Sequence, residues 1–325
     1  MTMAIRVHEV GGPEQMVWEE FDPGSPGEGQ ILVEHKAVGL NFIDVYHRTG
    51  LYPLPSKPFT PGLEAAGVVA AIGAGVTELK EGDRVAYASP PVGAYAERRI
   101  MPADRLVKLP EGVGDETAAA MMLQGLTVQY LLRRTYSVQP GDTILIHAAA
   151  GGVGLIACQW AKHLGATVIG TVGSAGKAEL AQSHGCDYPI LYKEQDFAEE
   201  VVKITGGKKL PVVYDSVGKD TFDRSLDCLA PLGMMVLFGQ SSGAVPPLDL
   251  GILAAKGSLF LTRPTIVTYT AKREDLVAGA EELFDVVASG AVRIEVNQKY
   301  ALKDAVQAHI DLESRKTTGS TVLIP

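Results

Sequence analysis

The residues most suggestive of chemistry lie in one run: Ile144-Leu145-Ile146-His147-Ala148-Ala149-Ala150-Gly151-Gly152-Val153-Gly154. An apolar strand runs into a glycine-rich turn, and the turn opens a helix. Backbone N–H groups at such a helix start, aided by the helix dipole, hold a pyrophosphate. Glycine admits the diphosphate where a Cβ would collide with it. The spacing is A-x-x-G-x-x-G, with Ala148 where the common fingerprint carries its first glycine. In this strand–turn–helix setting the run reads as a dinucleotide site rather than a ligand-free turn. Gly151, Gly152 and Val153 are its candidate cofactor contacts.

The end of the next strand selects the dinucleotide. Enzymes that use NAD commonly place an acid there to hold the ribose hydroxyls. Here the segment is Val168-Ile169-Gly170-Thr171-Val172-Gly173-Ser174-Ala175-Gly176-Lys177, and the first acid is Glu179. Without that acid nothing repels a 2′-phosphate, and Ser174 and Lys177 can pair with one. NADPH is therefore expected over NADH. The plainer reading of Lys177 is a solvated lysine at a helix start, and that of His147 is a core histidine at a strand end.

Composition narrows the remaining chemistry. The chain has 325 residues, 46% hydrophobic and 21% charged, as in an ordinary globular enzyme of about two domains. A formal net charge of −9 weighs against nucleic acid as the main partner. The three cysteines, Cys158, Cys186 and Cys228, form no CxxC pair, so neither a zinc ribbon nor a disulfide framework is indicated. Met1 to Val10 carries Arg6, His8 and Glu9 where a signal peptide needs an apolar run. Thr143 to Ala161 lacks charge for long enough to test as a membrane span, but its glycines divide it into a strand and a helix. A cytoplasmic protein without a membrane segment is expected.

The elements that must position these residues follow from periodicity. Gln30 to Val38 reads as a strand with one wet face; Val68 to Ile72, Arg84 to Tyr87 and Ala94 to Met101 read as further strands. Their spacing, punctuated by Gly and Pro, suggests a compact barrel-like β domain. A helix is expected from Leu126 to Tyr136. Strands at Ile144–Ile146, Thr167–Thr171, Val212–Tyr214, Met234–Phe238 and Ser258–Leu261 then alternate with helices at Val153–Leu164, Lys177–His184, Phe197–Ile204 and Phe222–Leu229. That alternation is the pattern of a doubly wound parallel sheet. Helices over Arg273–Ser289 and Leu302–Ser314 and a last strand at Thr321–Ile324 pack back on the first domain. The expected boundaries are 1–124 with 265–325 for one domain and 125–264 for the other.

These motifs together resemble the zeta-crystallin-like quinone oxidoreductases of the medium-chain dehydrogenase/reductase superfamily, across essentially the whole chain. Gly39-Leu40-Asn41-Phe42-Ile43-Asp44, Pro61-Gly62-Leu63-Glu64-Ala65-Ala66-Gly67 and Lys80-Glu81-Gly82-Asp83-Arg84-Val85 match the first domain. Gly141-Asp142 through Gly154 matches the cofactor signature, and Tyr214–Gly218 and Phe238–Gly243 match later sheet edges. The resemblance implies an α/β fold: a Rossmann doubly wound parallel sheet plus a GroES-like, β-barrel-type catalytic domain. It also marks what differs from zinc alcohol dehydrogenases, which carry cysteine, histidine and cysteine near the positions of Asn41, Leu63 and Leu123. Amide and leucine side chains do not replace thiolate and imidazole, so no metal is expected.

The resemblance further implies roles at matching positions. Asn41 lies near the nicotinamide or the substrate oxygen, and Tyr46 and Tyr52 line the acceptor pocket, as proton donors or as aromatic walls. Ser174, Lys177 and Tyr192 meet the adenosine end of NADPH; Phe238, Gly239 and Ser241 line the nicotinamide end. Thr127, Gly173 and Ser216 are added as cofactor contacts, with Arg263 and Arg315 as further cofactor or pocket contacts. The implied reaction is hydride transfer from NADPH to a small quinone, helped mainly by positioning. Two alternatives stand: reduction of the double bond of an α,β-unsaturated ketone or aldehyde, and a cofactor-bound RNA-binding or structural role. A homodimer paired through edge strands of the cofactor domains is typical of the resemblance.

Overall fold

The computed structural model describes all residues, 1–325, and divides the chain into two compact units. The first comprises Met1–Leu126, Thr270–Ala288 and Ile294–Pro325; the second comprises Thr127–Tyr269 and Ser289–Arg293.

The first unit is built on the 11-residue strand Gln30–Leu40. One side of it pairs antiparallel with Glu64–Ile72; the other pairs with Arg98–Pro102 near its start and Ser320–Ile324 near its end. The single wet face expected from the sequence holds as far as Lys36. From Ala37 to Leu40 both faces are buried, because more chain covers the sheet there. The strands carry a core of Ile31, Val33, Val69, Val85, Tyr87, Met101 and Leu323. A hairpin of Thr2–Val7 and Met16–Phe21 stands beside the seven-stranded sheet and was not legible as a pattern. Of the strand expected at Ala94 to Met101, only Arg98 onward pairs as a strand. The N–H groups of Ala94 and Tyr95 turn instead to the carbonyls of Gly62 and Pro61.

The second unit holds six strands, all parallel, at Thr143–Ile146, Thr167–Val172, Tyr188–Leu191, Leu210–Asp215, Leu229–Leu237 and Phe260–Thr262. Across the sheet, numbered within this unit, they run 3-2-1-4-5-6, the Rossmann order. The order reverses between Thr143–Ile146 and Leu210–Asp215, which neighbour each other. Leu145, Ile169, Val213 and Met235 form the buried centre beneath helices that include Phe197–Ile204.

The helix expected from Leu126 starts earlier and spans Asp115–Tyr130, followed by a widened turn at Leu131–Thr135. Asp115 and Glu116 favour that earlier start, since acids stabilise a helix N-terminus. The helix expected from Lys177 begins at Ala175, with Ser174 at its N-cap position. No helix is long and apolar enough to cross a membrane.

Candidate active site

In the second unit, the candidate cofactor residues gather at the carboxyl ends of the parallel strands. Gly151 is the N-cap of the helix Gly152–His163, which follows the strand Thr143–Ile146. Ala148, in the place of the first fingerprint glycine, has φ +55°, a left-handed conformation that glycine adopts more readily. The turn geometry is thus kept without the glycine. Gly154 cannot be replaced so simply: a Cβ there would collide with the Ala148 carbonyl oxygen and come within 2.7 Å of Ala149 Cα. The third fingerprint position therefore serves close packing of helix on strand.

Gly173 and Ser174 follow the strand Thr167–Val172, and Tyr192 follows Tyr188–Leu191. A Cβ on Gly173 would lie 3.1 Å from the Tyr192 hydroxyl, so this glycine and the tyrosine are immediate neighbours. Ser174 is exposed, and Lys177 is half-buried one turn into the helix Ala175–Ser183. No acid stands between the strand end and Glu179. Ser216, Phe238, Gly239 and Ser241 come together after the adjacent strands Leu210–Asp215 and Leu229–Leu237. The N–H groups of Phe238 and Gly239 donate to the Asp215 carbonyl, and that of Ser241 donates to the Ser216 carbonyl at 3.1 Å.

Beneath this loop pair, buried Asp215 accepts from the N–H groups of Val217 (2.7 Å) and Gly218 (3.0 Å) and from the Thr221 hydroxyl (2.7 Å). Arg263 follows the edge strand and donates to the Leu237 carbonyl at 2.9 Å. Thr127 is buried near the start of this unit. His147 is a core residue, bonded to the hydroxyls of Thr171 and Ser225 at 2.9 Å each.

In the first unit, Asn41 is buried at the N-cap of the helix Phe42–Thr49. Its Nδ2 donates to Glu64 Oε2 at 2.5 Å, and its Oδ1 accepts from Gln124 Nε2 at 3.2 Å. Its backbone N–H donates to Asp44 Oδ2 at 2.9 Å, the return half of a capping box. Tyr46 lies one helical turn after Phe42, ring centroids 5.6 Å apart, and packs edge-on against Tyr52 at 5.0 Å. The three rings make one aromatic wall. Arg315 is exposed, just past the helix Ala305–Glu313, with φ +59°. It belongs to this unit, as Asn41 does, whereas the other candidate cofactor residues belong to the second.

The structure adds residues that the pattern of the sequence did not single out. Glu64 is wholly buried, and burial pushes its carboxyl up to about 8 against the hydrogen bonds from Asn41 and Leu123, which pull it down. Burial likewise raises Asp44 to about 7. The Tyr95 hydroxyl donates to Asp44 Oδ2 and meets His309 Nε2, both at 3.0 Å. Its single proton goes to Asp44, so His309 must donate from Nε2 as a neutral ring. Burial accordingly lowers His309 to about 3. The available signal was an acid set among apolar neighbours, Leu63-Glu64-Ala65-Ala66, and a lone amide in Met121-Met122-Leu123-Gln124.

A zinc ion does not fit this unit's donor set. Asn41 is engaged by two side chains, Leu63 is apolar and buried, and no group of three or more His, Cys, Asp or Glu side chains is arranged to hold a metal.

A Rossmann sheet with a glycine turn, within a chain whose other unit is β-rich, is the plan of a medium-chain dehydrogenase/reductase. The profile of the alcohol dehydrogenase GroES-like domain matches residues 27–111, and that of zinc-binding dehydrogenases matches 152–285. The chain is 53% identical to a quinone oxidoreductase of Pseudomonas aeruginosa over 325 residues, covering 100% of both. It is similar to the crystal structure of Escherichia coli quinone oxidoreductase complexed with NADPH, with a TM-score of 0.98, 54% identity, and 99% and 100% of the two chains covered. It is also 48% identical to a 2-haloacrylate reductase of a Burkholderia species, over 100% of this chain and 99% of the relative. The chain belongs to the quinone oxidoreductase family of medium-chain dehydrogenases/reductases.

Proposed function

We propose that the protein is an NADPH-dependent quinone reductase that works without a metal. The observation that carries the cofactor assignment is the acid-free end of the strand Thr167–Val172, where Ser174 and Lys177 stand beside a glycine that admits close approach. The acceptor assignment rests on full-length likeness to quinone oxidoreductases.

NADPH, when bound, supplies the hydride. In the proposed arrangement Gly152 and Val153 present backbone N–H groups to its pyrophosphate, and Gly151, whose N–H donates to the Ala148 carbonyl, admits the diphosphate close to the turn. Ser174, Lys177, Gly173 and Tyr192 hold its adenosine end; Thr127, Ser216, Phe238, Gly239 and Ser241 hold the nicotinamide end, with Arg263 and Arg315 as outer contacts. Tyr46 and Tyr52 bound a flat acceptor and keep water away. The Asn41 amide or a tyrosine hydroxyl donates a hydrogen bond to the acceptor oxygen as charge develops on it. Conjugation already activates the acceptor, so orientation rather than strong acid–base catalysis is the protein's main contribution.

The second reading, reduction of an activated carbon–carbon double bond, is favoured by the likeness to a 2-haloacrylate reductase. Oxidation of NADPH and NADH across a panel of quinones and alkenones, with and without a chelator, separates the two. Chelator-resistant turnover of NADPH with quinones is expected, and turnover confined to alkenones moves the function to double-bond reduction.

Three buried free thiols accord with a cytoplasmic location. A homodimer finds support in the edge strand Phe260–Thr262, whose Phe260 is 55% exposed. Solution sizing at two concentrations tests it.

A further inference from the structure

Asn41 sits at the centre of a line of hydrogen bonds that can run in either direction. In one direction, the Ser320 hydroxyl donates to Gln124 Oε1 (2.8 Å), Gln124 Nε2 donates to Asn41 Oδ1 (3.2 Å), and Asn41 Nδ2 donates to Glu64 Oε2 (2.5 Å). Leu123 N–H donates to Glu64 Oε1 at 2.7 Å. Every link is satisfied when Glu64 is ionised.

The same heavy atoms serve equally well in reverse, because an amide's oxygen and nitrogen exchange places by rotation. A protonated Glu64 donates to Asn41 Oδ1, Asn41 Nδ2 donates to Gln124 Oε1, and Gln124 Nε2 donates to Ser320 Oγ. The Ser320 hydroxyl then needs an acceptor, and the Ala120 carbonyl lies 3.0 Å from it. That second contact completes the reversed line. The 2.5 Å link between Asn41 and Glu64 is shorter than usual for N–H···O and within the ordinary range for O–H···O, so both directions are open to it.

We propose that Glu64, Gln124 and Ser320 are positioning residues for Asn41, forming a two-state line in which protonation of Glu64 reverses both amides together. Their geometry is confined to one unit. Asn41, Glu64, Gln124 and Ser320 are all buried, so the partners cannot be exchanged casually for water. Gly39 permits this packing, since a Cβ there would strike both the Glu64 carboxylate and the Ala119 carbonyl.

The titratable groups acting on or acted on by Glu64 are Asp44 from the helix Phe42–Thr49, Tyr87 from the strand Arg84–Ala88, and Tyr95. Asp44, when charged, favours the protonated form of Glu64, as burial does. The consequence for catalysis rests on the reading that Asn41 faces the reacting groups. Reversal exchanges the remaining N–H of its amide for a lone pair at a given point, changing donor into acceptor there.

Neutron crystallography of the whole protein at pH 6 and pH 10 reads the deuterons on Glu64, Asn41, Gln124 and Ser320 directly. Opposite amide orientations at the two pH values are expected, with a deuteron on Glu64 only at pH 6. The same orientation of both amides at both values overturns the proposal.

A second measurement follows the side-chain amide signals of Asn41 and Gln124 by NMR across that range, in wild type and Glu64→Gln. The amide introduced by that substitution can donate permanently to Asn41 Oδ1, so a common midpoint in wild type and none in the variant are expected. Identical titrations in the two proteins overturn the proposal. The pH profile of kcat/KM for a quinone is read in parallel, and an inflection present in wild type and lost in Glu64→Gln is expected. If the amides reverse while kcat/KM stays flat in wild type, the two-state line stands and the placing of Asn41 beside the reacting atoms falls.

Discussion

The two units prepare their candidate sites by opposite means. In the second, the site is made mostly of backbone: a left-handed Ala148, the close packing of Gly154, and N–H groups at helix starts. In the first, it is made of buried side chains: Asn41 held by Glu64, Gln124 and Asp44, with both carboxyl groups raised by burial. A backbone site answers to shape and local charge; a site of buried acids and amides also answers to pH. The contrast suits a cofactor whose pyrophosphate is invariant and an acceptor whose charge changes during reaction.

The largest test of that contrast is pH. The native state holds a proton on Glu64 that an unfolded chain, with its carboxyl near the ordinary 4.5, gives up. The resulting stabilisation is complete below that ordinary value and is lost as pH rises toward about 8, with Asp44 adding the same sign up to about 7. His35 and His309, lowered to about 3, act oppositely: their contribution is present above 6.5 and is lost as pH falls toward 3. Between pH 6.5 and 8 the acids dominate, and Glu64 contributes a slope of up to about 1.4 kcal/mol per pH unit. Urea unfolding across that window should show the decline in wild type and a much flatter course in Glu64→Gln. An unchanged slope in the variant would remove Glu64 as the proton holder.

Gly154→Val probes the backbone side. Its side chain meets the Ala148 carbonyl and Ala149, and overpacking there should cost about 3 kcal/mol. Melting with and without NADPH reads both stability and binding; an unshifted melting temperature would mean that the turn yields. Lys177→Ala comes next. If Lys177 holds the 2′-phosphate as proposed, its loss raises the KM for NADPH roughly tenfold or more and leaves that for NADH alone. Equal effects on both cofactors would make Lys177 a general helix-start residue. The smallest effect is expected of Ala148→Gly, which relieves a left-handed alanine and should stabilise the second unit by about 1 kcal/mol in unfolding experiments. A loss of stability would mean that the glycine's added freedom in the unfolded chain outweighs the relief.

The second unit was the more legible of the two because its information is local. Five of its strands and its four longer helices after Thr143 announced themselves by apolar runs and period, and the glycine turn by consecutive residues; the strand Tyr188–Leu191 and the short helices Gly251–Ala255 and Ile266–Tyr269 did not. Among the elements that were expected, errors lay at the ends, as where Ser174 takes the N-cap position of a helix read as starting at Lys177. The first unit was less legible because its contacts are distant in sequence. Ser320 reaches Gln124 and Asn41 only through the pairing of the strands Ser320–Ile324 and Gln30–Leu40 and the packing of the helix Asp115–Tyr130. Near Gln124 in the chain, only its place as a lone amide after Met121-Met122-Leu123 hints at a role, and its partners are not among its neighbours.

Sequence alone therefore determined the alternating strand–helix plan, the glycine turn, the missing acid after Val172 and the family likeness, since each depends on residues close together or on motifs in order. Tertiary structure decided which polar groups are buried together: it sealed Glu64 away from water and brought Ser320 to Gln124 across 196 positions of chain. Burial and hydrogen-bond partnership depend on what the rest of the chain places around a residue, and for a carboxyl group those surroundings govern its charge.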